Sequence, residues 1–158
     1  MKPNIEIHEN ARAEIAALLS KLLADESVLS QKTRNAHWNI VGPDFHAMHG
    51  FFESQYRAIE ESVDDVAERI RALGHDAPGS LAEMLRHARL GEIDGAARDS
   101  REWVSALLAD HESIIIQLRA DARAAGQLGD DGTNDFLIGL MQEHEKAAWM
   151  LRAGLQTA

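Results

Sequence analysis

The chain has 158 residues, a formal charge of −10 and no cysteine. That length fits one domain with a sizeable core, and the absence of thiols excludes a disulfide scaffold, a zinc–thiolate site and cysteine catalysis. An acidic surface repels nucleic-acid phosphates and anionic lipid unless basic residues gather locally, and here they gather nowhere. No apolar run approaches the ~20 residues of a membrane span. Met1 to Glu9 also lacks the apolar core of a signal peptide. The expectation is a soluble, unexported, cytoplasmic protein with no membrane partner.

Residues 1–8 read as a short N-terminal arm, because Pro3 and a polar mix give no helical period. Residues 9–158 read as one domain. Helical patterning begins near Asn10, a candidate N-cap, and continues to about Trp38, with Ile15, Leu18, Leu19, Leu22, Leu23, Val28 and Leu29 at helical spacing. Val41-Gly42-Pro43-Asp44 is a break and restart, where Gly42 ends one helix and Asp44 caps the next. A second long segment spans about Phe45 to Leu73, with Met48, Phe52, Tyr56, Ile59, Val63, Val66, Ala67 and Ile70 inward, and Gly74 stops it. Ser80 with Glu83 forms a capping box for a short helix ending near Gly91. A third long segment is expected over roughly Asp94 to Ala125, and a fourth over about Thr133 to Leu155 after the turn Gly126 to Gly132. Four long amphipathic helices without a strand signal predict an all-α, ferritin-like four-helix bundle. The short extra helix lies in the long connection between the second and third long helices.

The stretch from His37 to Glu68 carries the chemistry. Its spacing, His-x11-His-x3-Glu-x10-Asp-x3-Glu, runs through His37, His49, Glu53, Asp64 and Glu68. The two i,i+4 intervals place His49 with Glu53, and Asp64 with Glu68, on shared helical faces. Imidazole nitrogen with carboxylate oxygen suits iron, manganese or zinc better than copper(I) or a cluster. Glu53 and Asp64, eleven residues apart on one helix, have Cα atoms about 16 Å apart. Either there are two separate sites, or a second copy supplies one pair. A two-fold axis between Glu53 and Asp64 pairs two copies of the second helix antiparallel and gives two equivalent sites per dimer. No Glu-x-x-His motif occurs, which argues against a di-iron centre inside one chain. His46, His75, His87, His111 and His144 have no evident partner set and read as structural or surface residues.

These residues resemble the Dps-like miniferritins, the DNA-protection-during-starvation branch of the ferritin-like superfamily. The matching motifs are His37-Trp38-Asn39, Gly42, Phe45 with His49, and Asp64-Asp65-Val66-Ala67-Glu68-Arg69-Ile70 with Gly74. Gly129 to Asp135, His144-Glu145-Lys146 and Trp149-Met150-Leu151 match as well, so the likeness covers the chain from about Glu9. The resemblance implies a hollow dodecamer that oxidises Fe(II), commonly with hydrogen peroxide, at di-iron or mononuclear sites on two-fold interfaces and stores ferric mineral inside. Carried over by position, His37, His49 and Glu53 are ligands from one subunit, and Asp64 and Glu68 come from its mate. Zinc or manganese are possible substitutes for iron. Many members have Asp where Glu53 stands. Trp38, beside His37, is either an electron donor or a packing aromatic. Asp130, Asp131 and Asp135 would line an acidic iron-entry pore at a three-fold axis, although Asp130 can instead cap the last helix. The alternative function, a DNA-coating protective protein with incidental metal binding, is disfavoured because the ends lack a Lys/Arg-rich tail.

Overall fold

The structure is a computed structural model that describes residues 3–96 and 98–156. In chain order its helices are α1 (Glu9–Asn39), α2 (Phe45–Ala72), α3 (Leu81–His87), α4 (Ser100–Gln127) and α5 (Asp131–Leu155). The four long helices make the ferritin-like bundle expected from the sequence, and α3 is the short helix of the long connection. The described residues form no strand; an isolated parallel bridge pairs Ile40 with Arg98. No described helix is long and apolar enough to cross a membrane.

Helix α1 is the central element. It buries Ile15, Leu19, Leu22, Leu23, Leu29 and Ala36, and also the polar Arg12, Asp25, Glu26, Ser30 and Thr33. Helix α2 buries a narrower seam, Phe52, Ile59, Val66 and Ile70, near heptad spacing. Met48, Tyr56, Val63 and Ala67, expected inward, are only partly buried and flank that seam. Each fully buried side chain of this size contributes about 1.5–3 kcal/mol relative to exposure. Short turns fold α1 against α2 and α4 against α5. The seam between α2 and α5 is sparsely packed and leaves a cleft of about 370 Å³.

Several boundaries differ from the sequence expectation, each for a physical reason. α1 starts at Glu9 with His8 at the N-cap, so Asn10 lies inside it. Asp44 stands at the N-cap of α2 but its side chain makes no capping bond; the turn is closed by the Phe45 N–H donating to the Gly42 carbonyl at 3.2 Å. Gly42, at φ +124°, supplies the backbone conformation that turn requires. The Ser80–Glu83 capping box is present, but α3 ends at His87 rather than near Gly91. The N–H groups of Arg89 and Leu90 donate instead to the buried Asp25 carboxylate, at 2.5 and 3.1 Å. α4 begins at Ser100, not Asp94, because Asp99 and Glu102 form a second capping box. α5 begins at Asp131, two residues before the expected start, with Asp130 as its cap.

The expected arm is in contact with the bundle where it is described. Arg12, buried, donates to the carbonyls of Ile7 and Leu73, at 3.2 and 2.9 Å. At Gly74, φ +87°, a Cβ would lie 2.7 Å from the Pro3 ring.

Three buried groups from three helices meet in the bundle core. The His144 imidazole hydrogen-bonds Glu26 Oε1 through Nε2 at 2.8 Å. Its Nδ1 lies 2.9 Å from His111 Nδ1, so one of these nitrogens donates and the other accepts. Burial, and then the neighbouring His144, pull the His111 pKa down to about 3. The unfolded chain therefore binds more protons than the folded one below the ordinary histidine pKa of about 6.5. The stabilisation is complete above that value and is lost as pH falls towards 3, at about 1.4 kcal/mol per pH unit. In chelator-treated protein at fixed concentration, denaturant unfolding should show about 2 kcal/mol lost between pH 7 and pH 5 from this group. His111→Gln, which keeps a hydrogen-bonding side chain but does not titrate, should flatten that part of the slope; an unchanged slope would assign the acid sensitivity elsewhere.

Candidate metal centre

The turn from α1 to α2 sets the two proposed imidazole ligands face to face. α1 ends where the Val41 N–H donates to the Arg98 carbonyl at 3.1 Å, while Arg98 N–H returns to Asn39 at 3.4 Å. In a continuing helix the Val41 N–H would serve the His37 carbonyl. That carbonyl accepts instead from His49 Nδ1 at 2.8 Å, and His37 Nδ1 donates to the His49 carbonyl at 2.8 Å. A carbonyl only accepts, so both Nδ1 atoms carry the proton and both Nε2 atoms keep their lone pairs. That is the tautomer in which Nε2 ligates a metal, held by its outer hydrogen bond.

Packing fixes the rings further. The His37 and His49 rings stack at 3.7 Å between centroids, 22° apart. Phe45 stacks against His49 at 5.1 Å, and Tyr56 meets His37 edge-on at 5.4 Å. Arg34 lies over Tyr56 at 4.8 Å and pairs with Glu60. His37 is 9 % exposed. Sequence spacing put these histidines near one another; the reciprocal bonding and the Tyr56 contact had no sequence signal.

The carboxylates divide into two places. Glu53 lies one turn beyond His49, partly exposed and paired with Arg57. Asp64 and Glu68 are exposed, one turn apart, farther along the same helix. α2 is unbroken from Phe45 to Ala72, so the roughly 16 Å between Glu53 and Asp64 stands. Among the described residues no three His, Cys, Asp or Glu side chains converge within this single chain. The structure thus brings His37 and His49 together and leaves Asp64 and Glu68 apart from them. Trp38 is 60 % exposed in the single subunit.

The acidic turn before α5 also divides. Asp130 is 2 % exposed. Its Oδ1 accepts from the Thr133 N–H at 2.9 Å and from Arg69 at 2.7 Å, and its Oδ2 accepts from the Thr133 hydroxyl at 2.5 Å. Arg69 Nε also donates to Thr133 Oγ1 at 2.7 Å. Of the two roles open to Asp130, capping is the one this geometry displays. Asp131 and Asp135 are exposed. His111 and His144, which showed no partner set in the sequence, are buried partners whose third member, Glu26, lies on a different helix. Residues 85 or more positions apart carry no periodic signal.

Comparison with known proteins is consistent with this architecture. Residues 16–158 match the Ferritin-like domain family. An uncharacterized low temperature-induced protein of Nostoc sp. is 40 % identical over 97 % of this chain and 86 % of its own length. DNA protection during starvation protein 2 of Bacillus anthracis is 34 % identical over 90 % of this chain and 97 % of its own. The crystal structure of a DPS protein from Vibrio cholerae O1, described as a member of a broad superfamily of ferritin-like diiron-carboxylate proteins, superposes with a TM-score of 0.93. It is 31 % identical and covers 99 % of this chain and 98 % of that one. A bundle with its short helix in the long connection, a paired-histidine turn and these relatives together place the chain in the ferritin-like superfamily, as a Dps-like miniferritin.

Proposed function

We propose that the protein is a ferroxidase and iron store, in which Fe(II) is the substrate and a shell of twelve subunits encloses the ferric product. The observation that carries this is the reciprocal bonding of His37 and His49, which leaves the Nε2 atom of each stacked ring unprotonated. Glu53 would join them from the same subunit. Asp64 and Glu68 would come from the two-fold mate, because one straight helix keeps them away from their own His49. Carboxylate oxygens favour the harder Fe(III) over Fe(II), so the ligand set stabilises the oxidised product. With hydrogen peroxide as oxidant, two Fe(II) ions each give one electron, the O–O bond breaks, and two protons complete two water molecules. Trp38, next to His37 in sequence, would donate an electron and quench a stray oxidising equivalent.

His37→Ala and Asp64→Ala shells should each oxidise Fe(II) at least about tenfold more slowly, since even outer partners of metal ligands cost 10–100-fold, while remaining assembled. Shells reconstituted from a mixture of the two should regain activity. Each mixed pair holds one intact site, with His37 from one chain and Asp64 from the other. Stopped-flow absorbance of the ferric product reads this directly, with peroxide and oxygen compared. Parental rates in both single variants would remove the site, and no regain in well-mixed shells would remove its shared geometry.

The competing reading, a DNA-coating protein, takes support from the names of relatives such as the Bacillus anthracis protein. Charge opposes it: twelve copies carry roughly −120 before histidine protonation. No DNA gel shift is expected at ~150 mM salt without added divalent metal; a clear shift would favour the competing reading.

Iron entry is proposed to follow the exposed Asp131 and Asp135, one helical turn apart at the start of α5, where three copies meeting would focus the field on cations. Asp135→Asn should slow mineral growth at low iron roughly 2- to 10-fold, with the difference shrinking at high salt. Unchanged uptake in Asp131→Asn/Asp135→Asn shells of normal size would show another route.

A further inference from the structure

The buried cluster of Glu26, His111 and His144 is unused by the proposed ferroxidase chemistry, and its arrangement resembles a metal anchor more than a packing contact. We propose that His111 and His144 bind a borderline divalent transition ion, with zinc as its simplest representative, inside the bundle of a single subunit. Glu26 holds His144 from behind, and oxygen ligands from the α2–α5 cleft complete the coordination. This does not rest on the His37 ligand set.

Four observations support it. First, the two Nδ1 atoms are 2.9 Å apart. Two imidazole nitrogens on one ion, each about 2.1 Å from it, lie roughly 3.0–3.4 Å apart, so the pair has to open by only a few tenths of an ångström. The single proton now between the nitrogens would pass to His111 Nε2 as the ion enters, so both rings stay neutral.

Second, Glu26 Oε1 accepts from His144 Nε2 at 2.8 Å. A ligating histidine whose other ring nitrogen donates to a carboxylate is a recurrent feature of metal sites, because it fixes the tautomer and raises ligand basicity.

Third, Glu26 is 0 % exposed, and its Oε2 has no hydrogen-bond partner among the described residues. No lysine or arginine among them forms an ion pair with it. A buried carboxylate with one oxygen unpaired is costly. A cation on the far side of His144 would compensate the charge, whereas the proton bridge leaves it uncompensated.

Fourth, the site has an entrance. Both histidines line the cleft of about 370 Å³ between α2 and α5, together with Glu61, Ser62, Asp65 and Glu143. Three carboxylates against one ammonium, that of Lys146, leave the opening net negative, so it attracts cations and offers oxygen ligands. Three ligand side chains do not already converge in the described residues. The metal-free arrangement is therefore a two-nitrogen anchor, and the remaining positions go to water and a cleft carboxylate that swings inward. No Glu-x-x-His motif is needed, which is why this centre has no signature in the sequence.

The test uses assembled full-length His37→Ala/Asp64→Ala protein, so that the ferroxidase ligands are disabled and its result bears on this pair alone. Calorimetric titration with zinc chloride at pH 7.5 should give one ion per subunit. Close to no proton should be released per ion, because both rings are neutral before and after, read by repeating the titration in buffers of different ionisation enthalpy. Glu26→Gln should weaken binding about 10–100-fold, and His111→Gln at least as much. X-ray absorption of the zinc-loaded protein should show two imidazole nitrogens, a readout that needs no variant in the cluster to fold. No bound zinc, an all-oxygen shell, or zinc affinity unchanged by His111→Gln in a helical, normally sized shell would each overturn the proposal.

Discussion

Two hydrogen bonds across the first turn, each histidine's Nδ1–H to the other's carbonyl, determine what the rest of the candidate metal centre can do. They require a free carbonyl at His37, and it is free because the chain returning at Arg98 takes the Val41 N–H. Arg98 is itself fixed: it pairs with Asp94, donates to the Asp94 and Ala96 carbonyls, and lies over the Trp103 ring at 4.9 Å. The long connection is therefore more than a crossover. Its last residues terminate α1 at the position that frees the His37 carbonyl, and so they set the tautomer of His49.

The same logic recurs in the buried charges. Asp25 accepts from Arg89 and Leu90 and pairs with the Arg89 guanidinium, fastening the connection to α1. Asp130 joins the start of α5 to Arg69 on α2, and Arg12 joins the end of α2 to the arm. The two ion pairs among these, Asp25–Arg89 and Asp130–Arg69, add little net stability over apolar packing, yet removing one partner of such a pair typically costs about 3–5 kcal/mol. Their role here is positional, since each joins a helix end or a loop to a different helix. Glu26 departs from this pattern, with one oxygen paired to an imidazole and the other to nothing among the described residues.

The features that follow local periodicity could be read from the chain. Helix number and order, the Ser80–Glu83 box and the i,i+4 ligand pairs all depend on residues within one or two turns. The Asp99–Glu102 box was equally local, yet the expected start of α4 fell earlier, at Asp94. What could not be read depends on distant partners. α3 stops early because Asp25, more than sixty residues away in sequence, claims the next two N–H groups. Asp130 carried two compatible local roles, and only the approach of Arg69 from α2 decided between them. The imidazole pair in the core needed α1, α4 and α5 to be assembled before it existed.

The straightness of α2 has a consequence for when chemistry becomes possible. A single subunit carries both halves of the proposed ferroxidase ligand set, but its own helix holds them apart. On that reading a lone chain offers iron two imidazoles and one carboxylate that is already paired with Arg57, which is too few oxygen ligands to favour Fe(III). Completion of the site and burial of the interface are then one event. Oxidation starts only where a mate is docked, and docked subunits are those that enclose a cavity to receive the product. The core histidines follow the opposite rule. All three members of that cluster belong to one chain, so an ion held there would be acquired as the subunit folds, before any shell exists, and would stabilise the packing of α1, α4 and α5 on which the interface is later built.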